Sequence, residues 1–191
     1  MKRLLLAILL LVSSKGWCAS SNTGIGFGSS VLNNSRNFYF QSANAYSQVP
    51  GHLFTTTCVQ AAVSARNSVC QLVNPSGSSV VMVVNTFRCW LGTAGLAQLT
   101  VNNTARTTLI GGGTPLNLGG GGTSSGQVYQ DTIASLGTAL STYNVGTTPA
   151  SGVMAVGQYI VLGAGSGLEV EVQTVNIQLN CEFYWYERPP A

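Results

Sequence analysis

Val175-Asn176-Ile177-Gln178-Leu179-Asn180-Cys181-Glu182-Phe183-Tyr184-Trp185-Tyr186 is the stretch whose reading decides the fold. Its odd positions (Val175, Ile177, Leu179, Cys181, Phe183, Trp185) are apolar and its even positions polar or amphipathic. Side chains of a strand point alternately to the two faces of a sheet, so this period of two predicts a long strand with one face in a core. Just upstream, 168–172 alternates in the opposite phase, with Val170 and Val172 on even positions. A regular strand cannot change phase, so a bulge or a tight connection is expected at Gln173-Thr174.

Working back toward the N-terminus, strand-like runs occupy 53–59, 69–73, 80–91, 97–101, 107–110 and 159–162, separated by turn residues such as Asn74-Pro75-Ser76-Gly77 and Gly163-Ala164-Gly165-Ser166-Gly167. Val80-Val81-Met82-Val83-Val84 is apolar in both phases, as in a strand covered on both faces. Between 107–110 and 159–162 lies Gly111-Gly112-Gly113-Thr114-Pro115-Leu116-Asn117-Leu118-Gly119-Gly120-Gly121-Gly122, too glycine-rich for a regular element and expected to be a mobile loop or hinge. It lacks the Lys and the following Ser or Thr of a phosphate-binding loop. In 127–143, Tyr129, Ile133, Leu136, Leu140 and Tyr143 fit one face of a short helix, while the Thr content and Gly137 fit a pair of irregular strands equally well. Many short strands ending in one long strand predict an all-β fold: a two-sheet β-sandwich of jelly-roll type with a glycine-rich loop.

Three segments are expected: a signal-peptide-like leader over 1–20, a Gly-, Asn- and Ser-rich N-terminal arm over 21–48, and the sandwich over 49–191. The leader pairs Lys2 and Arg3 with an apolar run at 4–12, which is shorter than the roughly 20 residues of a membrane-spanning helix. The formal charge of the whole chain is +3, and Lys2, Arg3 and Lys15 supply it. Beyond the leader, Arg36, Arg66, Arg88, Arg106 and Arg188 balance Asp131, Glu169, Glu171, Glu182 and Glu187. That part carries no net charge, in a chain only 7% of whose residues are charged, and so offers no footprint for a nucleic-acid backbone. Loss of Cys18 with the leader leaves Cys58, Cys70, Cys89 and Cys181. The favoured pairing is Cys58 with Cys70, whose spacing suits two neighbouring strands, and Cys89 with Cys181, tying a central strand to the last one. Four reduced, buried thiols are the alternative.

The residues that could carry chemistry are few. His52, the single histidine, reads as a turn residue rather than a catalytic base. Glu169 and Glu171 share one face of a strand, as paired-carboxylate chemistry requires, but they follow a glycine turn and are expected at a solvated edge. Asp131 stands alone, and neither metal-ligand spacing nor a cofactor fingerprint is present, the Gly24, Gly26, Gly28 triplet lacking the strand and acidic partner of a dinucleotide site. Phe183 and Trp185 should point into the core. Tyr184 and Tyr186 should face outward, ready to stack on a sugar ring or pack against another subunit, and Phe38, Tyr39 and Phe40 form a second candidate contact cluster. Asn33-Asn34-Ser35 and Asn102-Asn103-Thr104 match the glycosylation sequon.

Four motifs in order, over 70–187, carry a resemblance. They are Asn74-Pro75-Ser76-Gly77-Ser78 before a long hydrophobic strand, Thr114-Pro115-Leu116-Asn117-Leu118, Gly157-Gln158-Tyr159-Ile160-Val161-Leu162 leading to Gly165-Ser166-Gly167-Leu168, and the closing aromatic strand through Trp185 and Glu187. Together they resemble the small β-sandwich structural proteins of tailed-bacteriophage virions. The resemblance implies a non-enzymatic head-decoration, tail or fibre-associated subunit that acts as a homo-oligomer with other virion proteins and needs no cofactor. The leader departs from that pattern, because virions assemble in the cytoplasm. The alternatives are a secreted surface or filament subunit whose 21–48 arm adds a strand to a neighbour, or a carbohydrate-binding module using Tyr184 and Tyr186. The expected location is extracellular or on a virion surface.

Overall fold

The computed structural model describes residues 52–116, 122–148, 153–154 and 160–190. The leader, the 21–48 arm with Phe38, Tyr39 and Phe40, and residues 117–121 of the glycine-rich run lie outside the described residues. Twelve strands follow one another: β1 (Leu53–Gln60), β2 (Asn67–Asn74), β3 (Val81–Leu91), β4 (Gly95–Val101), β5 (Thr108–Gly112), β6 (Thr114–Pro115), β7 (Gln127–Ile133), β8 (Ala139–Val145), β9 (Val153–Met154), β10 (Ile160–Leu162), β11 (Ser166–Val172) and β12 (Leu179–Arg188).

They form two antiparallel sheets packed face to face. The first runs β10-β3-β12-β1-β6, with β9 also on β3, and the second runs β5-β7-β2-β11-β4-β8. The pairing is nested: β1 with β12, β2 with β11, β3 with β10, and β4 with β8. That arrangement is the two-sheet jelly roll expected from the alternation, with β5, β6 and β7 inserted between β4 and β8. Among the described residues there is no helix. The ambiguous 127–143 stretch resolves into β7, paired to β2, and β8, paired to β4, so sheet pairing overrides the helical spacing of its apolar residues.

The core is built from alternate residues of both sheets. Phe54, Cys58, Met82, Val84, Phe87, Cys89, Leu91, Leu179, Cys181, Phe183 and Trp185 of the first sheet meet Cys70, Leu72, Ala97, Leu99, Val128, Leu168, Val170 and Val172 of the second. On β3 the buried phase shifts from Met82 and Val84 to Phe87, Cys89 and Leu91. A bulge causes the shift: Tyr184 pairs with Thr86 and Trp185 with Val84, leaving Asn85 unpaired. Met82, Val83 and Val84 are all buried, as their two-phase apolarity predicts, whereas Val80 and Val81 at the start of the same run are half-buried.

The phase change at Gln173-Thr174 is a connection between sheets rather than a bulge. β11 belongs to the second sheet and β12 to the first, and the turn between them holds Asn176 at φ 61°, a left-handed conformation that asparagine tolerates. The last strand therefore begins at Leu179, and Val175, 45% exposed, lies in the turn. The glycine-rich run also departs from expectation, since Gly111 and Gly112 end β5 and Thr114–Pro115 is β6 in the opposite sheet. Gly113 makes the corner: a Cβ there would sit 2.5 Å from Trp185 Cζ2 and 2.6 Å from Phe54 Cβ.

Cys58–Cys70 and Cys89–Cys181 are the two disulfides. Cys58 and Cys70 lie on successive strands in opposite sheets, so the bond staples the sandwich across its core, with a Cα separation of 6.0 Å. Cys89–Cys181 joins directly opposed residues of β3 and β12 within the first sheet, at 4.1 Å.

Candidate functional site

The outer face of the first sheet gathers the polar and aromatic residues of three strands on successive rungs. The register sets Trp90, Asn180 and Val59 on one rung, Arg88, Glu182 and Thr57 on the next, and Thr86, Tyr184 and Thr55 on the third. Tyr184 donates its hydroxyl to Glu182 Oε2 at 3.0 Å, and the Arg88 guanidinium stands over its ring, 5.6 Å from the centroid. Burial, reinforced by the adjacent Glu182 carboxylate, pushes the Tyr184 phenol above its ordinary range. Tyr184 is half-buried and reachable, whereas Tyr186 is only 6% exposed. The two tyrosines therefore do not form the exposed pair expected from their spacing. Trp90 and Arg88, which share the face with Tyr184, were not singled out by sequence reasoning, because their placement depends on cross-strand register.

The outer face of the second sheet holds the acidic residues. Glu169 and Glu171, expected at a solvated edge, are 0% and 1% exposed on the central strand β11. The segment after β4 and the turn before β8 cover them. Glu169 takes a two-point ion pair from Arg106, with Nε at 2.8 Å from Oε2, and accepts Asn102 Nδ2 at 2.9 Å. Arg106 is correspondingly raised above its ordinary value by its hydrogen bond to Glu169. Glu171 accepts from Gln98 Nε2 at 2.7 Å, the Gly137 amide at 2.9 Å and Thr100 Oγ1 at 3.2 Å, all neutral donors. Asp131, at the edge of this group, accepts from Thr107 Oγ1 at 3.0 Å. The Asn102 sequon is unsuited to modification in the folded chain, since its amide is engaged with Glu169.

Burial, and then the neighbouring Glu169 carboxylate, raises the Glu171 carboxyl above the usual range. The folded state thus keeps a proton where the unfolded chain has already released it. Stability contributed by that proton is complete below the ordinary glutamate range and is lost as pH climbs through the raised value. Glu171→Gln removes the buried charge and can still meet both Gln98 and Glu169. We expect it to raise stability at pH 7 by about 1 kcal/mol, on the scale of one net hydrogen bond, and to flatten the acid side of the pH profile. Denaturant titrations at several pH values check this, and a variant less stable than the parent at neutral pH would contradict it.

A third acid, Glu187, is also buried, at 4% exposure. Its Oε1 accepts Ser124 Oγ at 2.7 Å, the Ser125 and Gly126 amides at 2.9 Å each, and Trp185 Nε1 at 3.1 Å. His52 Nδ1 lies 3.2 Å from the Glu187 carbonyl oxygen, so this histidine fastens the start of β1 to the end of β12. The structure brings all four cysteine candidates into the core and places Tyr184 on an accessible face. Phe38, Tyr39 and Phe40 lie outside the described residues.

No family, no curated protein and no solved structure matches this chain. Two disulfides fit an oxidising, extracellular setting. Among the described residues no helix is long and apolar enough to cross a membrane.

Proposed function

We propose that the chain is a non-enzymatic structural subunit of an extracellular or virion-surface assembly, a homo-oligomer joined through its β-sandwich. The observation that carries this reading is the character of the sheet edges. β5, β8, β9 and β10 contain no charged residue. Several of their apolar side chains face outward, Leu140 at 62%, Val161 at 55% and Leu109 at 52% exposure. Proteins that remain single protect such edges with lysine or other charges, because an open edge is a template for pairing. Burial of Glu169, Glu171 and Glu187 thins the surface charge further. The same burial favours a structural over a catalytic role for the Glu169–Glu171 pair, since a reacting carboxylate must meet its substrate.

A cell-surface or filament assembly suits the leader-like start, and a virion assembly suits the order of the motifs; both use the same edges. The β8 edge is the clearest, because Leu140 stands out at its bulge opposite Leu99 and Thr100, near exposed Val101. In sedimentation velocity the parent chain is expected to run as an oligomer. Leu140→Lys is expected to weaken association at least about tenfold, or roughly 1.4 kcal/mol, with an unchanged far-UV circular dichroism spectrum. A parent that stays monomeric at high concentration would remove the basis for the reading.

A further inference from the structure

The four cysteines are arranged as a line of sulfur. In the first sheet Cys58 pairs in register with Cys181, and Cys181 pairs with Cys89, so β1, β12 and β3 contribute one cysteine each to a single rung. All three side chains belong to the buried core, as does Cys70, which reaches Cys58 from the opposite sheet. The order across the core is therefore Cys70, Cys58, Cys181, Cys89, with bonds at the two ends and a gap in the middle. Directly opposed residues of antiparallel strands have Cβ atoms about 4.5–5.5 Å apart, and a disulfide needs about 3.5–4.5 Å. Small shifts within the rung are enough to bring Cys58 to Cys181.

We propose that these cysteines form a thiol-exchange relay, in which opening the staple between the sheets moves the second disulfide from one side of β12 to the other. An external dithiol cleaves Cys58–Cys70, taking the oxidation into its own disulfide and leaving two thiols. The Cys58 thiolate then attacks Sγ of Cys181. The Cys58–Cys181 bond forms, Cys89–Cys181 breaks, and the electron pair leaves on the Cys89 thiolate, which takes up a proton. The exchange consumes no further reductant. Its outcome is that β12 is tied to β1 instead of β3, while the two sheets are no longer covalently joined. Exchange needs local opening, because Cys58, Cys70, Cys89 and Cys181 are all 0% exposed.

The sequence makes the linkage readable. Cleavage after Arg66, Arg88 and Arg106 puts Cys58, Cys70, Cys89 and Cys181 on four different tryptic peptides. The full chain is treated with limiting dithiothreitol, trapped with iodoacetamide, then unfolded, digested without reduction and analysed by mass spectrometry. The expected singly reduced product carries alkyl groups on Cys70 and Cys89 and a Cys58–Cys181 link. A product alkylated on Cys58 and Cys70 that keeps Cys89–Cys181, or one alkylated on Cys89 and Cys181, would overturn the relay. Cys70→Ser provides a second reading without reductant. Equilibrated in glutathione buffer, it should distribute Cys181 between Cys58 and Cys89. Exclusive Cys89–Cys181 with Cys58 as a free thiol would be equally fatal.

Discussion

Trp185→Ala is expected to lower the unfolding free energy by about 3–5 kcal/mol, the range for deleting a buried tryptophan. Trp185 is fully buried, its ring centroid lies 6.0 Å from that of Phe54, and Gly113 is pressed against its edge. Removing the indole opens a cavity where the chain turns from β5 to β6. Its neighbours cannot collapse into the space, because Phe54 is fixed by β1 and Gly113 by the corner. Glu187 loses one donor but retains the Ser124, Ser125 and Gly126 contacts, so the cost is mainly one of volume. Trp185→Phe should therefore recover most of the loss. Denaturant unfolding followed by far-UV circular dichroism tests both variants, and a Trp185→Ala loss under about 1 kcal/mol would mean the site is not close-packed.

The two disulfides should contribute unequally. Cys89–Cys181 closes a sequence separation of 92, and Cys58–Cys70 one of 12. If cross-linking acts chiefly by restricting the unfolded chain, the longer loop contributes about 4–5 kcal/mol and the shorter about 3. The double variant Cys89→Ala, Cys181→Ala should therefore be the less stable of the two double variants. The ranking is informative because both pairs are buried, which makes the lost side-chain volume similar. Equal destabilisation would place the effect in the folded core rather than in the unfolded ensemble.

Most of the long strands were legible from alternation and turn residues, down to the burial of Met82, Val83 and Val84, whereas the two-residue β6 and β9 are too short to show any alternation. The cysteine pairing was legible too, although the staple runs between sheets, and nothing local distinguishes a lateral neighbour from a facing one. The buried acids were hidden for a definite reason. Leu168-Glu169-Val170-Glu171-Val172 has the alternation of a half-solvated strand, and a period of two cannot say what lies over the polar face. The cover comes from Asn102, Arg106 and Gly137, distant in sequence. The available signal was the matching polar phase of Gln71, Gln98 and Thr100 on the paired strands β2 and β4, which becomes visible once register is known. Tyr186 was misplaced as well: its even position predicts an outward face, and alternation does not say that this end of the face is buried. The 127–143 stretch shows the converse case, where chance helical spacing gives way to the neighbours β2 and β4.

The nested pairing of strands sets the order in which this molecule can come into being. β1 lies between β12 and β6, so the earliest strand waits for the latest before its main partner exists. During synthesis nearly the whole sandwich must be available before the first sheet can close, and such distant contacts make for slow folding. Cys89 waits in the same way, since its partner Cys181 lies on that last strand. In the interval the edge of β3 that β12 will cover, with Val83 and Val84 on it, is open to pairing with other chains.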